Sequence, residues 1–155
     1  MRVVLQKNTG SKNCIRFYTK GDSIEWANGD DFMMLHDLSH YSIEKTLGYT
    51  SAFFGLIESG TKIKDFEDKA TRDKMVLTNE AWYAEGLANL ILIEYTQGKF
   101  ENFNEVFKST LSKTNPTIPF LPISEMDLAK TRLLFTDLVN KWKSLPEKET
   151  MELTF

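Results

Sequence analysis

The two ends of this chain carry strand-like sequence and the long stretch between them is helical in period, which leaves few ways to fold it. The last residues, Thr150-Met151-Glu152-Leu153-Thr154-Phe155, alternate with period two. A lone strand would leave its backbone amides and carbonyls unpaired, so this tail needs partners. Only the first thirty residues offer them. Val3-Val4-Leu5 leads into the turn signal Asn8-Thr9-Gly10-Ser11, and Cys14-Ile15-Arg16-Phe17-Tyr18 follows with β-branched and aromatic residues. A second turn at Lys20-Gly21-Asp22 precedes Ser23-Ile24-Glu25-Trp26. The pattern predicts an antiparallel meander that the C-terminal strand joins, bringing the two ends of the chain together.

From Phe32 the period becomes helical. A first helix runs to Leu47 and is stopped by Gly48, a natural left-handed C-cap. A second segment starts near Thr50 or Ser51, carries Phe53, Phe54, Leu56 and Ile57, and ends at Gly60. The charged stretch from Lys62 to Lys74 has no clear period. The clearest helix covers Asn79 to Gln97, with Thr78 or Asn79 as N-cap and Gly98 beyond it. Glu101 to Leu111 follows, with Phe103, Val106, Phe107 and Leu111 on one stripe. Pro116, Pro119 and Pro122 then force an extended connection. Ser124, with Asp127 three residues on, caps a last helix to about Lys143 in a variant of the capping box. The fold class that follows is α+β: a small antiparallel sheet packed against about five helices.

At 155 residues the chain fits a single domain, 1–155. A chain of this size buries roughly 70% of its unfolded surface, so neither a disulfide nor a metal is needed merely to fold. The 19 basic and 22 acidic residues are mixed along the chain, and the net charge of −3 opposes phosphate contacts, which argues against a nucleic-acid partner. The single cysteine, Cys14, excludes an internal disulfide and any Cys-rich zinc site, and reads as a small apolar filler. The N-terminal residues lack the apolar run of a signal peptide. The most apolar helical run, Ala88 to Tyr95, is broken by Asn89 and Glu94 and could not span a bilayer. The chain therefore reads as cytoplasmic, with no membrane partner; its oligomeric state is left open. Trp26, Trp82 and Trp142, like Phe100, Phe103 and Phe107, are expected in the core. Gly55, between Phe54 and Leu56, is expected to permit close packing.

Chemistry concentrates in one place. Both histidines of the chain, His36 and His40, lie four residues apart, with Asp37 between them and Glu44 four residues further on. On a helix His36 and His40 share a face with Ile43 and Leu47, and Asp37 and Glu44 flank that face. Met34, Leu38 and Tyr41 fall on the opposite side, so the helix should be covered from both directions. The His-x3-His spacing is that of metalloprotease helices, in which both imidazoles bind zinc. Here Asp37 stands where those helices carry a glutamate base. His36, His40, Glu44 and Asp37 are thus the candidate ligands for a divalent metal such as Zn, Fe, Mn or Ni. Glu58, Glu80, Glu85 or Glu94 from neighbouring helices could complete a shell, although Glu80 and Glu85 taken singly read as ordinary solvated helix residues. Ser39 shows no triad spacing with either histidine.

The stretch His36-Asp37-Leu38-Ser39-His40-Tyr41-Ser42-Ile43-Glu44, continued by Leu47-Gly48-Tyr49 and Phe53-Phe54-Gly55-Leu56-Ile57-Glu58-Ser59-Gly60, resembles a family of uncharacterised bacterial proteins. Their shared core is similar to HDLxHxxVE, then LGY, then GFFGLxAxG. Ile43 stands for the family's Val, and Ala52 for its Gly. Trp142-Lys143-Ser144-Leu145-Pro146 and Met151-Glu152-Leu153 resemble the family's ending. The resemblance implies a small stand-alone domain in which His36, Asp37, His40 and Glu44 match the motif, and it implies no particular reaction.

Two classes of function follow. In one, a metal held by His36 and His40, with Glu44 or Asp37 as third ligand or base, hydrolyses a small molecule. In the other, the chain is a non-catalytic binding or interaction module whose histidine pair is structural or lines a pocket.

Overall fold

The structure, a computed structural model, describes the whole chain except Thr9, Ser11, Asp22, Asp73 and the side chain of Arg72. The fold is α+β. Four strands, β1 (Arg2–Gln6), β2 (Asn13–Tyr18), β3 (Ile24–Gly29) and β4 (Thr150–Thr154), form one antiparallel sheet in the order β3-β2-β1-β4. The C-terminal strand pairs with β1, as its alternation predicts, and seats Met151 opposite Leu5 and Leu153 opposite Val3. The predicted turn residues Thr9, Ser11 and Asp22 lie outside the described residues; at the second turn the Thr19 N–H donates to the Ser23 carbonyl and closes the hairpin.

One face of the sheet is apolar. Val3, Leu5, Ile15 and Phe17 point inward and are fully buried, as the period of two requires. Among the described residues, no helix layer covers the other face. There Arg2 lies 4.1 Å from the centre of the Tyr18 ring and 3.3 Å from Glu152, while Arg16 donates to Gln6. Trp26 is on this open face at 60% exposure, so its expected place in the core is corrected: alternation pairs it with Ile24 on one side of β3, and that side faces solvent. Trp142 is buried and Trp82 half-buried; Cys14 is buried and free.

The helices stack on the apolar face. They are α1 (Asp31–Leu47), α2 (Phe53–Glu58), α3 (Ile63–Glu67), α4 (Lys69–Arg72), α5 (Asn79–Gln97), α6 (Phe103–Thr114) and α7 (Glu125–Ser144). The short α3 and α4 fall in the charged stretch that has no readable period. α1 is the central element, packed on α5 and α7 and touching the sheet. Its cover is two-sided: Met34, Leu38 and Tyr41 are buried on one side, His40 and Ile43 on the other. Caps fall where local chemistry puts them. Asp30 accepts the Met33 N–H, Gly48 ends α1 at φ 68°, Thr78 accepts the Ala81 N–H, and Ser124 accepts the Asp127 N–H. Among the described residues, no helix is long and apolar enough to cross a membrane.

Candidate metal site

α1 delivers the two histidines one turn apart, with ring centres 4.8 Å apart and planes inclined by 61°. His40 is nearly closed off, whereas the His36 side chain keeps 24% of its surface. Packing of α5 on α1 brings Glu85 to His40, with Oε2 3.1 Å from Nε2. The other carboxylate oxygen of Glu85 accepts from the Asn89 amide at 2.8 Å. One donor atom each from His36, His40 and Glu85 lie within 4.8 Å of one another, close enough that the three could hold a metal ion.

Glu44 takes a different post from the one its spacing suggests. It is fully buried behind His40, with Oε1 3.3 Å from Nδ1, on the ring nitrogen that faces away from Glu85. Its Oε2 accepts the Phe54 N–H at 2.9 Å. The reason lies in α2, whose N-cap Ala52 offers no side-chain acceptor, so the carboxylate of Glu44 satisfies the first turn from outside. Glu80 of α5 completes this pinning by accepting from the Thr50 and Ser51 N–H groups and the Ser51 hydroxyl. Asp37 is buried beside the histidines, but its Oδ1 is 3.9 Å from His36 Nδ1, outside hydrogen-bond range, and it is not in the donor group.

Of the four residues expected as ligands, the structure brings His36 and His40 to a common point, sets Glu44 in the supporting position and leaves Asp37 aside. The third member of the group is Glu85, one of the four glutamates that could complete a shell. Its spacing in the sequence does not set it apart from the other three; packing does, with Ala84 and Ala88 fully buried beside it so that the α5 backbone runs close to its neighbours.

The electrostatics follow from this placement. Burial pulls the His40 imidazole down, but hydrogen bonds and charge from Glu44 and Glu85 outweigh it and push the group up to about 9. His40 in turn holds the Glu85 carboxyl well below the usual range, at about 2, against a smaller opposing push from burial. Burial raises Glu44, while His40 and the Phe54 and Gly55 amides resist the rise. At neutral pH His40 is therefore a cation that donates from both ring nitrogens. A metal entering between Nε2 and Glu85 must displace the Nε2 proton, leaving the Nδ1–H on Glu44. In a tetrahedral zinc site with bonds of about 2.0–2.1 Å, donors sit roughly 3.3 Å apart. The His40–Glu85 pair at 3.1 Å has that separation already.

The chain thus defines a class by its geometry, an α+β domain with a two-histidine, one-glutamate donor group on facing helices. No family model, curated protein or solved structure matches it.

Proposed function

We propose that this protein binds a divalent transition metal through His36, His40 and Glu85 and uses an open fourth position for a metal-activated water in hydrolysis of a small molecule. The observation that carries this reading is His40 itself. Its Nδ1 is fixed by a buried carboxylate while its Nε2 points at a second carboxylate beside another imidazole. A metal-binding histidine ordinarily gives its remaining ring N–H to such a carboxylate, which fixes the tautomer and the ring plane. Glu85 keeps 55% of its side chain exposed, so an ion here would be reached from solvent. Three protein ligands with a vacant position are the pattern of catalytic rather than structural zinc.

A second reading rests on the same hydrogen bonds. Both ring nitrogens of His40 already have carboxylate partners, so the triad also serves as a clamp joining α1, α2 and α5 in a non-catalytic module. His36 separates the two readings, because the clamp does not use it. The test is metal analysis of purified protein, with melting temperature before and after chelation, in wild type, His36→Ala and Glu85→Gln. The metal reading expects near-stoichiometric metal, a fall in melting temperature on chelation, and loss of both in each variant. Absence of bound metal, of zinc uptake and of any chelator effect would leave the clamp.

A further inference from the structure

The geometry points to β3 as the interface of a two-fold dimer in which the β3 strands of two copies pair antiparallel across Trp26. Antiparallel pairs alternate between those that exchange hydrogen bonds and those that do not. The Thr19 N–H to Ser23 carbonyl bond, at 3.1 Å, sets the phase of the β2–β3 hairpin. Phe17–Glu25 and Ile15–Ala27 are then the bonded pairs, and Ile24, Trp26 and Asn28 turn their N–H and C=O groups away from β2. No described residue takes a hydrogen bond from or gives one to these outward backbone groups. Their spacing is symmetric about Trp26. A second copy related by a two-fold axis there sets Trp26 against Trp26 and Ile24 against Asn28, and every outward amide meets an outward carbonyl. Such self-complementarity is what an isologous interface requires.

Three further observations favour a second copy as the occupant. A groove of about 540 Å³ runs beside the strand, lined by five consecutive residues of β3 and by Lys62, Lys64 and Glu67, so this edge is open between β3 and α3. The groove's charges balance, Lys62 and Lys64 against Glu25 and Glu67, and two copies meet there without net repulsion. The strand also lacks the usual protection of an edge, having neither Lys nor Pro, while Ile24 and Trp26 stand 54% and 60% exposed on its open face. The opposite edge is different. On β4 the Thr154 carbonyl is taken by Tyr41 and Lys45, and Glu152 is paired with Arg2. The dimer joins two four-stranded sheets into one. None of the metal-donor residues lies on β3 or α3, so this inference stands apart from the metal reading.

Sedimentation equilibrium from micromolar to near-millimolar protein tests it, together with amide exchange at both ends of that range. Wild type is expected to dimerise and to gain protection at Ile24, Trp26 and Asn28 with concentration. Asn28→Pro deletes one outward N–H and leaves the bonds to β2, and Trp26→Lys places a charge at the axis. Both should be monomeric with unchanged circular dichroism. Trp26→Cys in a Cys14→Ser background should oxidise to a covalent dimer. A wild type that stays monomeric throughout overturns the proposal, as does a dimer that survives both variants. Protection of these amides in a monomer carrying a foreign extended peptide overturns it in favour of that occupant.

Discussion

His40 is gripped from two sides by carboxylates of unlike exposure, and the consequences of removing it differ accordingly. In His40→Ala the Glu44 carboxylate stays fully buried with backbone amides as its remaining support, whereas Glu85 relaxes into solvent. The substitution should cost about 2–3 kcal/mol in urea unfolding with chelator present. Adding Glu44→Gln should recover part of the loss, because it removes the stranded charge. The same residue sets a pH dependence. Because folding raises His40 from 6.5 to about 9, its stabilisation is complete below 6.5 and is lost as pH rises through 9. Glu85, lowered by folding, contributes above its ordinary 4.5 and loses that contribution as pH falls toward 2; solvent screening keeps its share small. Melting temperature in chelator should therefore fall from pH 6.5 to 9 in wild type but not in His40→Gln. With saturating zinc that fall should disappear, since the metal displaces the same proton and leaves His40 neutral in the folded as in the unfolded chain. Elsewhere, Thr131 is fully buried on α7 with a hydroxyl that meets no partner among the described residues. Thr131→Val keeps the shape and should stabilise by up to about 1 kcal/mol in the same assay.

At the scale of elements, α2 is held by its neighbours rather than by its own sequence. Glu44 from α1 supplies the acceptor that Ala52 lacks, and Glu80 from α5 fixes the loop before it through the Thr50 and Ser51 amides. Close approach makes this work: a Cβ on Gly55 would overlap the backbone of Thr50. Gly55→Ala should therefore cost about 3 kcal/mol in urea unfolding, the upper end for overpacking. Helix ends that depend on a few adjacent residues were legible in the sequence, as Gly48, Thr78 and Ser124 show. The ends of α2 and the existence of α3 and α4 were not, because their stability comes from partners distant in the chain. The candidate site divides along the same line. The i, i+4 spacing placed His36 and His40 together, yet it could not tell which ring nitrogen Glu44 would meet. Glu85 stood beside Glu58, Glu80 and Glu94 as a residue that could complete a shell, and only the packing of α5 on α1 singles it out.

For the molecule as a whole, the sheet is the closure of the fold. β4 buries Met151, its Thr154 carbonyl receives Tyr41 and Lys45, and Phe155 stacks on Phe54 at 5.2 Å. Deleting residues 150–155 should lower the melting temperature by more than about 10 °C, and a synthetic peptide of that segment should restore part of the loss. This pairing of chain ends was readable because an alternating tail had one set of strands to join. The exposure of Trp26 was not, since alternation says which residues share a face but not which face lacks a helix layer. The order β3-β2-β1-β4 also bears on synthesis. β1 finds β2 within a few residues and then keeps its other flank open while the helices between β3 and β4 are made. That flank of β1 is thus open to wrong strand partners until β4, on the far side of the helical stretch, has been made and has paired with it.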